Sequence, residues 1–242
     1  MMPNPHPQGS FWYAFAERFG SPDIKYCEET IASFVSEPSN TWSNLFMIVA
    51  GLLIHYQVKK QNKLIDYFGV AFTITGTLSF IYHLSNIFPL QFTDFLGMYC
   101  SVGMILFINL KRLKLLSEEQ IKKYYLLSFI PFTIVVSLLR HYSLPVQASI
   151  TALVVTILIC ELVIFVKKLQ PSLKYKPLMK GLFFIFLASL AQMIDINRLY
   201  CDSQNHILQP HAFWHIFNAF AFYNFYFYFR AADDLCNGSE VA

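Results

Sequence analysis

Three histidines, an aspartate and a serine are the residues of this chain whose types and spacing could do chemistry. His211 and His215 are four residues apart, so on a helix their rings share one face and can hold a single metal ion. His83 would supply a third nitrogen, and three protein ligands plus a water is typical of catalytic zinc. Asp94, eleven residues after His83, could act as a general base or orient a histidine. Ser79 precedes His83 by one helical turn and could donate to an oxyanion.

Each of these residues has a plainer interpretation when it is taken alone. A single histidine at the end of an apolar segment is more often hydrogen-bonded within the protein, and a single serine usually packs. All five lie near the ends of long apolar segments, where an ionisable group is costly, and this coincidence favours a metal site. Retinal would need a lysine in the last segment, and two neighbouring histidines on one helix cannot bind opposite faces of one haem.

The composition indicates a polytopic membrane protein with a single domain. Of the 242 residues, 55% are hydrophobic and only 14% are charged, whereas soluble domains have roughly 25% charged residues. The net charge of +3 comes from short basic clusters between apolar segments, so it does not indicate a nucleic-acid partner. The first ten residues lack the basic region and apolar core of a cleavable signal peptide.

Apolar length, flanking charge and the positions of proline and glycine predict an all-α bundle of seven transmembrane helices. Barrel strands are excluded because the segments are too long and too uniformly apolar. The predicted organisation is an interfacial segment 1–38, a membrane domain 39–230 and a cytoplasmic tail 231–242. The predicted spans lie near residues 40–58, 64–87, 91–110, 124–140, 144–166, 179–197 and 210–230.

The distribution of basic residues predicts the orientation of the bundle. The loops after the first, third and fifth spans are rich in lysine and arginine, and the positive-inside rule makes them cytoplasmic. The N-terminus is then outside and the C-terminus inside, and the five chemistry-bearing residues lie together beneath the outer face. The cytoplasmic basic residues are Lys59, Lys60, Lys63, Lys111, Arg112, Lys114, Lys122, Lys123, Lys167, Lys168, Lys174, Lys176 and Lys180, and the outer ones are Arg18, Lys25, Arg140 and Arg198.

The same motifs resemble those of the alkaline ceramidases. This family belongs to a larger superfamily of seven-span hydrolases that also includes the progestin and adipoQ receptors. The resemblance extends over roughly residues 23–230, and its most specific parts are in the second and seventh spans. It is carried by Ser79-x-x-x-His83, Asp94 and His211-x-x-x-His215, by Tyr26-Cys27-Glu28, which is similar to the family's Trp-Cys-Glu, and by Glu37 followed by Asn40-Thr41-Trp42-Ser43-Asn44.

The resemblance implies a zinc-dependent amidase that cleaves the N-acyl bond of ceramide into a sphingoid base and a fatty acid. It implies that the three histidines bind zinc, that Asp94 assists the attacking water and that Ser79 helps to stabilise the transition state. The partner is a membrane lipid within the bilayer, and the sequence identifies no protein partner. We expect a bacterial inner membrane or an endoplasmic reticulum or Golgi membrane, with the active site towards the periplasm or lumen.

The resemblance also implies a calcium site in the N-terminal segment, formed by Asp23, Glu28 and Glu37. The chain departs from the family's motif here, because Lys25 and Thr30 stand where the family has aspartate and asparagine. Calcium prefers six to eight oxygen ligands, so two ligands are lost and a positive charge is gained. The sequence leaves two interpretations open, a calcium site and a solvated acidic turn.

The orientation predicts one disulfide. Cys27 and Cys201 both lie on the outer side, where oxidation is possible, whereas Cys100 and Cys160 lie in spans and Cys236 lies inside. A Cys27–Cys201 bond would tie the N-terminal segment to the loop before the seventh span, close to the predicted metal site.

Two other functions remain open from the sequence. One is a lipid-sensing receptor with a structural zinc site, and the other is a hydrolase of a different N-acyl lipid or of an ester lipid. The predicted cytoplasmic loops are short and the predicted tail is small, so they offer little surface for a signalling partner, which favours an enzyme.

Overall fold

All regular elements that the structure describes are helices. The structure is a computed structural model that describes residues 3–58 and 61–236. Lys59 and Lys60 of the predicted cytoplasmic cluster, and residues 237–242 of the predicted tail, lie outside the described residues. The helices are α1 (Tyr13–Phe19), α2 (Pro38–Gln57), α3 (Phe68–Ser85), α4 (Phe88–Arg112), α5 (Glu118–Leu127), α6 (Phe129–His141), α7 (Gln147–Val166), α8 (Lys176–Ile196) and α9 (Pro210–Cys236), with a 3-10 turn at Leu64–Tyr67 before α3.

Helices occupy the positions of all seven predicted spans, and the prediction of an all-α fold is confirmed. Five helical segments are long and apolar enough to cross a membrane, which indicates a multi-pass membrane protein. The segments α2 and α9 are outside this set, so seven crossings remain a prediction. The five segments are Leu64–Ser85, Phe88–Arg112, Glu118–His141, Gln147–Val166 and Lys176–Ile196.

The fourth predicted span is divided into two helices that meet at Ser128. The helix α5 ends at Leu127, and α6 begins at Phe129. Pro131 lies in the first turn of α6 and has no N–H, so it cannot donate to the carbonyl of Leu127 as a continuous helix would require. Pro131 therefore breaks the helix, although the apolar segment that predicted the fourth span continues across it.

The last helix is longer than the sequence predicted. It continues to Cys236 instead of ending near residue 230. Its extra turns are held by ion pairs, because Asp233 lies 2.6 Å from Lys111 Nζ and Asp234 lies 3.0 Å from Lys63 Nζ. Asp233 and Asp234, which were predicted to lie in the cytoplasmic tail, are therefore part of the last helix.

Close contact between α2 and α3 depends on glycines. A Cβ atom on Gly69 of α3 would lie 2.5 Å from the backbone nitrogen of His55 and 2.7 Å from the carbonyl oxygen of Gly51, both on α2. Small residues let the backbones of membrane helices approach closely. This contact brings the N-terminal end of α2 beside the C-terminal end of α3, where His83 lies.

A long, mostly apolar cavity runs between α4, α7, α8 and α9. Its volume is about 480 Å³. Asp94 and His211 line one end, and Glu161 and Phe229 line the other. Phe229 lies eighteen positions after His211 on α9, which corresponds to about 27 Å along a helix. The cavity is therefore nearly as long as the hydrocarbon core of a bilayer is thick, about 30 Å.

A buried ion pair closes the end of the bundle opposite the histidines. The Arg112 guanidinium contacts the Glu161 carboxylate and donates to Asn109 Oδ1 at 2.7 Å and to Gln170 Oε1 at 2.9 Å. The Tyr228 hydroxyl donates to the other oxygen of Glu161 at 2.7 Å. The contacts of Glu161 join α7 to α4 and α9, and the contact of Gln170 joins the loop after α7 to α4.

Removing one partner of this pair should destabilise the protein more than removing both. We expect Arg112→Met to lower the free energy of unfolding by about 3–5 kcal/mol, because Glu161 is left as an unpaired buried charge. The double variant Arg112→Met with Glu161→Met should recover much of that loss. Thermal melting in detergent compares the stability of the single and double variants with that of the wild type. Lys167→Met changes an exposed residue and is the control, which should melt like the wild type. Equal destabilisation in the single and double variants would contradict the prediction.

Candidate metal centre

Helix packing brings the three predicted metal ligands to one point. His83 comes from the last turn of α3, and His211 and His215 come from the first turns of α9. All three side chains are buried, and one ligand atom from each lies within 4.8 Å of the others. Their ring centroids are 4.6–5.1 Å apart. These residues can bind a metal ion, as the sequence predicted.

The Nδ1 atoms of two of the rings are bound to acceptors on other elements. His83 Nδ1 donates to Glu37 Oε2 at 2.7 Å, directly before α2. His211 Nδ1 donates to Gln192 Oε1 on α8, also at 2.7 Å. A proton on Nδ1 leaves the lone pair of Nε2 free, and metal-binding histidines usually have such a second partner.

The third ring is held in the same way by a serine. The Ser43 hydroxyl donates to the backbone carbonyl of Asn40 at 3.0 Å, so its hydrogen is already in use. The Ser43 oxygen lies 2.7 Å from His215 Nδ1 and therefore accepts a hydrogen bond from it. His215 thus has the same tautomer as the other two histidines, with Nε2 free.

The free ring nitrogens fit a metal ion. Within residues 3–58 and 61–236, the buried Nε2 atoms of His83 and His215 have no hydrogen-bonding partner. An unsatisfied buried polar atom costs about 1–3 kcal/mol, and a bound ion would satisfy both of these atoms because the two rings converge on one point. Three neutral imidazoles suit zinc, with a fourth position left for water.

Aromatic rings fix the orientation of His211. The Tyr26 ring stacks on one side of it, with centroids 3.9 Å apart and planes inclined by 27°. The Trp214 ring is nearly parallel to it, at 5.3 Å and 8°. His211 is therefore held by ring contacts as well as by its hydrogen bond.

Asp94 and Ser79 also lie at the histidine end of the bundle. Both side chains are buried, and they lie close to each other. Asp94 and His211 both line the cavity, whereas Ser79 is outside the cavity lining given by the described residues. The structure therefore brings together the five residues that the sequence singled out, with Asp94 facing the cavity.

The N-terminal segment is fastened over this end of the bundle. Cys27 and Cys201 form a disulfide, with Cα atoms 5.5 Å apart, so the predicted bond is confirmed. The backbone N–H of Cys27 also donates to both carboxylate oxygens of Asp195, at 3.3 Å each. Asp195 also lies close to the backbone of His211, so the segment is held near the start of α9.

The predicted calcium ligands are engaged with other groups. Asp23 Oδ1 accepts a hydrogen bond from Arg140 Nη1 at 2.6 Å. Glu37 Oε2 accepts the hydrogen bond from His83, so this carboxylate belongs to the histidine centre. Among the described residues, the His83, His211 and His215 group is the one set of side chains arranged to hold a metal ion.

Glu28 acts as a cap for α2. Its carboxylate accepts the backbone N–H groups of Ser39 and Asn40 at 2.9 Å each and the Nδ1–H of His206 at 3.0 Å. Three protein donors therefore already occupy this carboxylate. These residues do not fit a calcium ion, which requires six to eight oxygens.

Sequence reasoning did not identify Ser43 or Gln192, and it assigned Glu37 to calcium. The hydrogen bond between Ser43 and His215 joins residues 172 positions apart, so no local spacing indicates it. One indirect signal was available, because both residues are polar and lie at the same end of the bundle as the histidines.

A family model described as Ceramidase matches residues 20–241, which include all of these site residues. None of the curated proteins matches the chain.

Loss of the carboxylate charge at Glu37 should weaken the metal centre. We expect Glu37→Gln to lower zinc affinity by roughly 10–100-fold, because the charge that polarises the His83 ring is removed while the side-chain shape is kept. Competition with a chromogenic chelator measures this affinity. Glu29→Gln removes an exposed charge nearby and is the matched control. Unchanged zinc affinity in Glu37→Gln would rule out this role.

Calcium should not bind the folded protein. A ligand at 100 times its Kd adds about 2.7 kcal/mol of stability, so calcium binding would raise the melting temperature. We expect protein that has been dialysed free of calcium and loaded with zinc to melt at the same temperature with and without added calcium chloride. A clear increase that disappears in Glu28→Gln would show that this interpretation is wrong.

Proposed function

Because the chain belongs to the ceramidase family, we propose that it is a zinc-dependent intramembrane amidase that hydrolyses the N-acyl bond of ceramide to a sphingoid base and a free fatty acid. Membership of the family implies that the chain hydrolyses ceramide. We further propose that the reaction depends on zinc and takes place within the membrane. One observation supports both proposals. Three buried histidines, two of them with an Nε2 atom that has no hydrogen-bonding partner among the described residues, lie with Asp94 at the end of a long apolar cavity.

We propose seven membrane crossings, with the N-terminus outside and the metal centre beneath the outer face. Lys63, Lys111 and Arg112 lie at the end of the bundle opposite the histidines, which supports this orientation through the positive-inside rule. The amide of a ceramide lies just below the headgroups, at the depth where this orientation puts Asp94. The reaction would therefore take place on the periplasmic or lumenal side.

The cavity is suited to one hydrocarbon chain of the substrate. It extends about 27 Å along α9 from His211, at 1.5 Å per residue, and most of its lining is apolar. A chain inserted along it would keep the amide at the polar end, near Asp94 and His211. Binding the remote chain in this way contributes to holding the reacting group in place.

Zinc held by His83, His211 and His215 would act as a Lewis acid, which polarises an oxygen atom and lowers the pKa of a water to about 7. The protein fixes the three rings before binding, because each Nδ1–H has its own acceptor.

Asp94 is the proposed general base and acid. Its carboxylate accepts one proton from water while the water oxygen bonds to the amide carbonyl carbon. The carbon–nitrogen bond then breaks, its electron pair stays on nitrogen, and Asp94 returns the proton to that nitrogen. The water supplies the hydroxyl of the fatty acid and the added hydrogen of the amine, so the reaction balances.

The proposal predicts different defects in two variants. Purified wild-type protein should contain about one zinc ion per protein molecule and should release fatty acid from ceramide. Asp94→Asn should keep the zinc and lose about 10²–10⁴-fold in turnover, because proton transfer is lost. His211→Ala should lose the zinc and the activity together. Metal analysis and measurement of released fatty acid test both variants.

Other outcomes would favour the alternative functions. Bound zinc without hydrolysis of any amide or ester lipid would support a lipid-sensing receptor with a structural metal. Hydrolysis of another N-acyl or ester lipid in preference to ceramide would keep the mechanism and change the substrate. Full turnover in Asp94→Asn would refute its role as the base.

A further inference from the structure

The Tyr26 side chain is a part of the site to which neither the motifs nor the proposed mechanism gives a role. It comes from the N-terminal segment and not from a membrane helix. Its ring stacks on His211 at 3.9 Å and lies 5.3 Å from the His83 ring. Tyr26 and Asp94 both line the cavity at its polar end. The Tyr26 ring is therefore beside the proposed reacting groups.

The position of Tyr26 is tightly fixed. The next residue, Cys27, is bonded covalently to Cys201, and its N–H binds Asp195. The carbonyl of Tyr26 accepts a hydrogen bond from Arg198 Nη2 at 3.4 Å. A group held in this way does not have to be ordered when a substrate binds.

The Tyr26 hydroxyl is available to a ligand. Within the described ranges of the chain, no protein group is hydrogen-bonded to it, although the side chain is buried and lines the cavity. The Tyr82 hydroxyl nearby is different, because it accepts a hydrogen bond from Gln91 Nε2 at 3.2 Å. A phenol with an ordinary pKa of about 10 keeps its proton at neutral pH and can donate it.

Ser79 is less suited to bind the substrate carbonyl than its position in the sequence indicates. It is outside the cavity lining given by the described residues, and it lies close to the Asp94 carboxylate, to which its hydroxyl can donate. This contact orients the base. A hydrogen-bond donor for the carbonyl oxygen then has to come from another residue that faces the cavity.

We propose that the Tyr26 hydroxyl donates a hydrogen bond to the carbonyl oxygen of the amide that is cleaved. This role rests on the proposed function. Negative charge develops on that oxygen when water attacks the carbonyl carbon, and a fixed donor stabilises it more in the transition state than in the bound substrate. Ser79 then positions Asp94, and Tyr26 contacts the reacting group.

Tyr26→Phe tests this role because it removes the hydroxyl and keeps the ring that stacks on His211. We expect kcat for ceramide to fall by about 10²–10³-fold, the loss typical of one oxyanion donor, with little change in KM. Zinc content and melting temperature should equal those of the wild type. Tyr99→Phe is the matched control, because Tyr99 is also buried but its hydroxyl donates to Ser128 away from the histidines.

A substrate analogue gives a readout that a purely structural role would not change. A thioamide has sulfur, a weak acceptor, in place of the carbonyl oxygen. Wild-type protein should lose more activity than Tyr26→Phe when the amide is replaced by the thioamide, because the variant has already lost the donor.

Several results would overturn the proposal for Tyr26. Three of them concern activity: a wild-type kcat in Tyr26→Phe, a rise in KM alone, or an equal loss of activity with the thioamide in both proteins. The fourth is loss of zinc in Tyr26→Phe, which would show that Tyr26 only supports His211. Tyr26→Leu also removes the hydroxyl, and it replaces Tyr26→Phe if that variant does not fold. Failure of the wild-type protein to hydrolyse ceramide would instead count against the proposed function.

Discussion

A three-histidine metal centre requires each imidazole ring to direct an unprotonated Nε2 atom to one point inside an apolar bundle. Most of the contacts at the histidine end of the bundle meet this requirement. A neutral imidazole has one donor and one acceptor nitrogen, so the acceptor faces inward only if the donor has a partner behind it. Glu37, Gln192 and Ser43 provide those partners. Glu37 and Ser43 lie at the start of α2 and Gln192 lies on α8, and the centre therefore forms only when α2, α3, α8 and α9 have packed together.

The packing around the centre follows from this dependence. Glycines allow α2 to approach α3 closely enough for Glu37 to reach His83. The disulfide between Cys27 and Cys201 and the contacts of Asp195 hold the N-terminal segment against the start of α9. Charged groups at the opposite end, with Arg112 and Glu161 at their centre, are likewise paired and buried. The apolar cavity between the two ends is free of such pairs along most of its lining, which suits the proposed binding of a lipid chain.

The N-terminal segment shows why motif matching and physical fit can disagree. Glu28 and Glu37 occur where a calcium site was implied, yet Glu28 caps α2 with His206 beside it and Glu37 serves His83. A carboxylate that already accepts two or three hydrogen bonds from protein groups has little capacity left for a cation. Acidic residues in the expected order are therefore weaker evidence for a metal than ring nitrogens without a partner.

The sequence by itself determined the helical class, the positions of the long helices, the convergence of His83, His211 and His215, and the disulfide. These features depend on hydrophobic length, helical periodicity and the side of the membrane, all of which are local or additive properties of the chain. Tertiary structure alone decided that Glu37, Ser43 and Gln192 hold the rings, that α9 continues to Cys236 through ion pairs, and that Tyr26 stacks on His211. The physical reason is that hydrogen bonds and ring contacts between distant segments depend on how the helices are rotated and how closely they approach, and no spacing along the chain encodes either quantity.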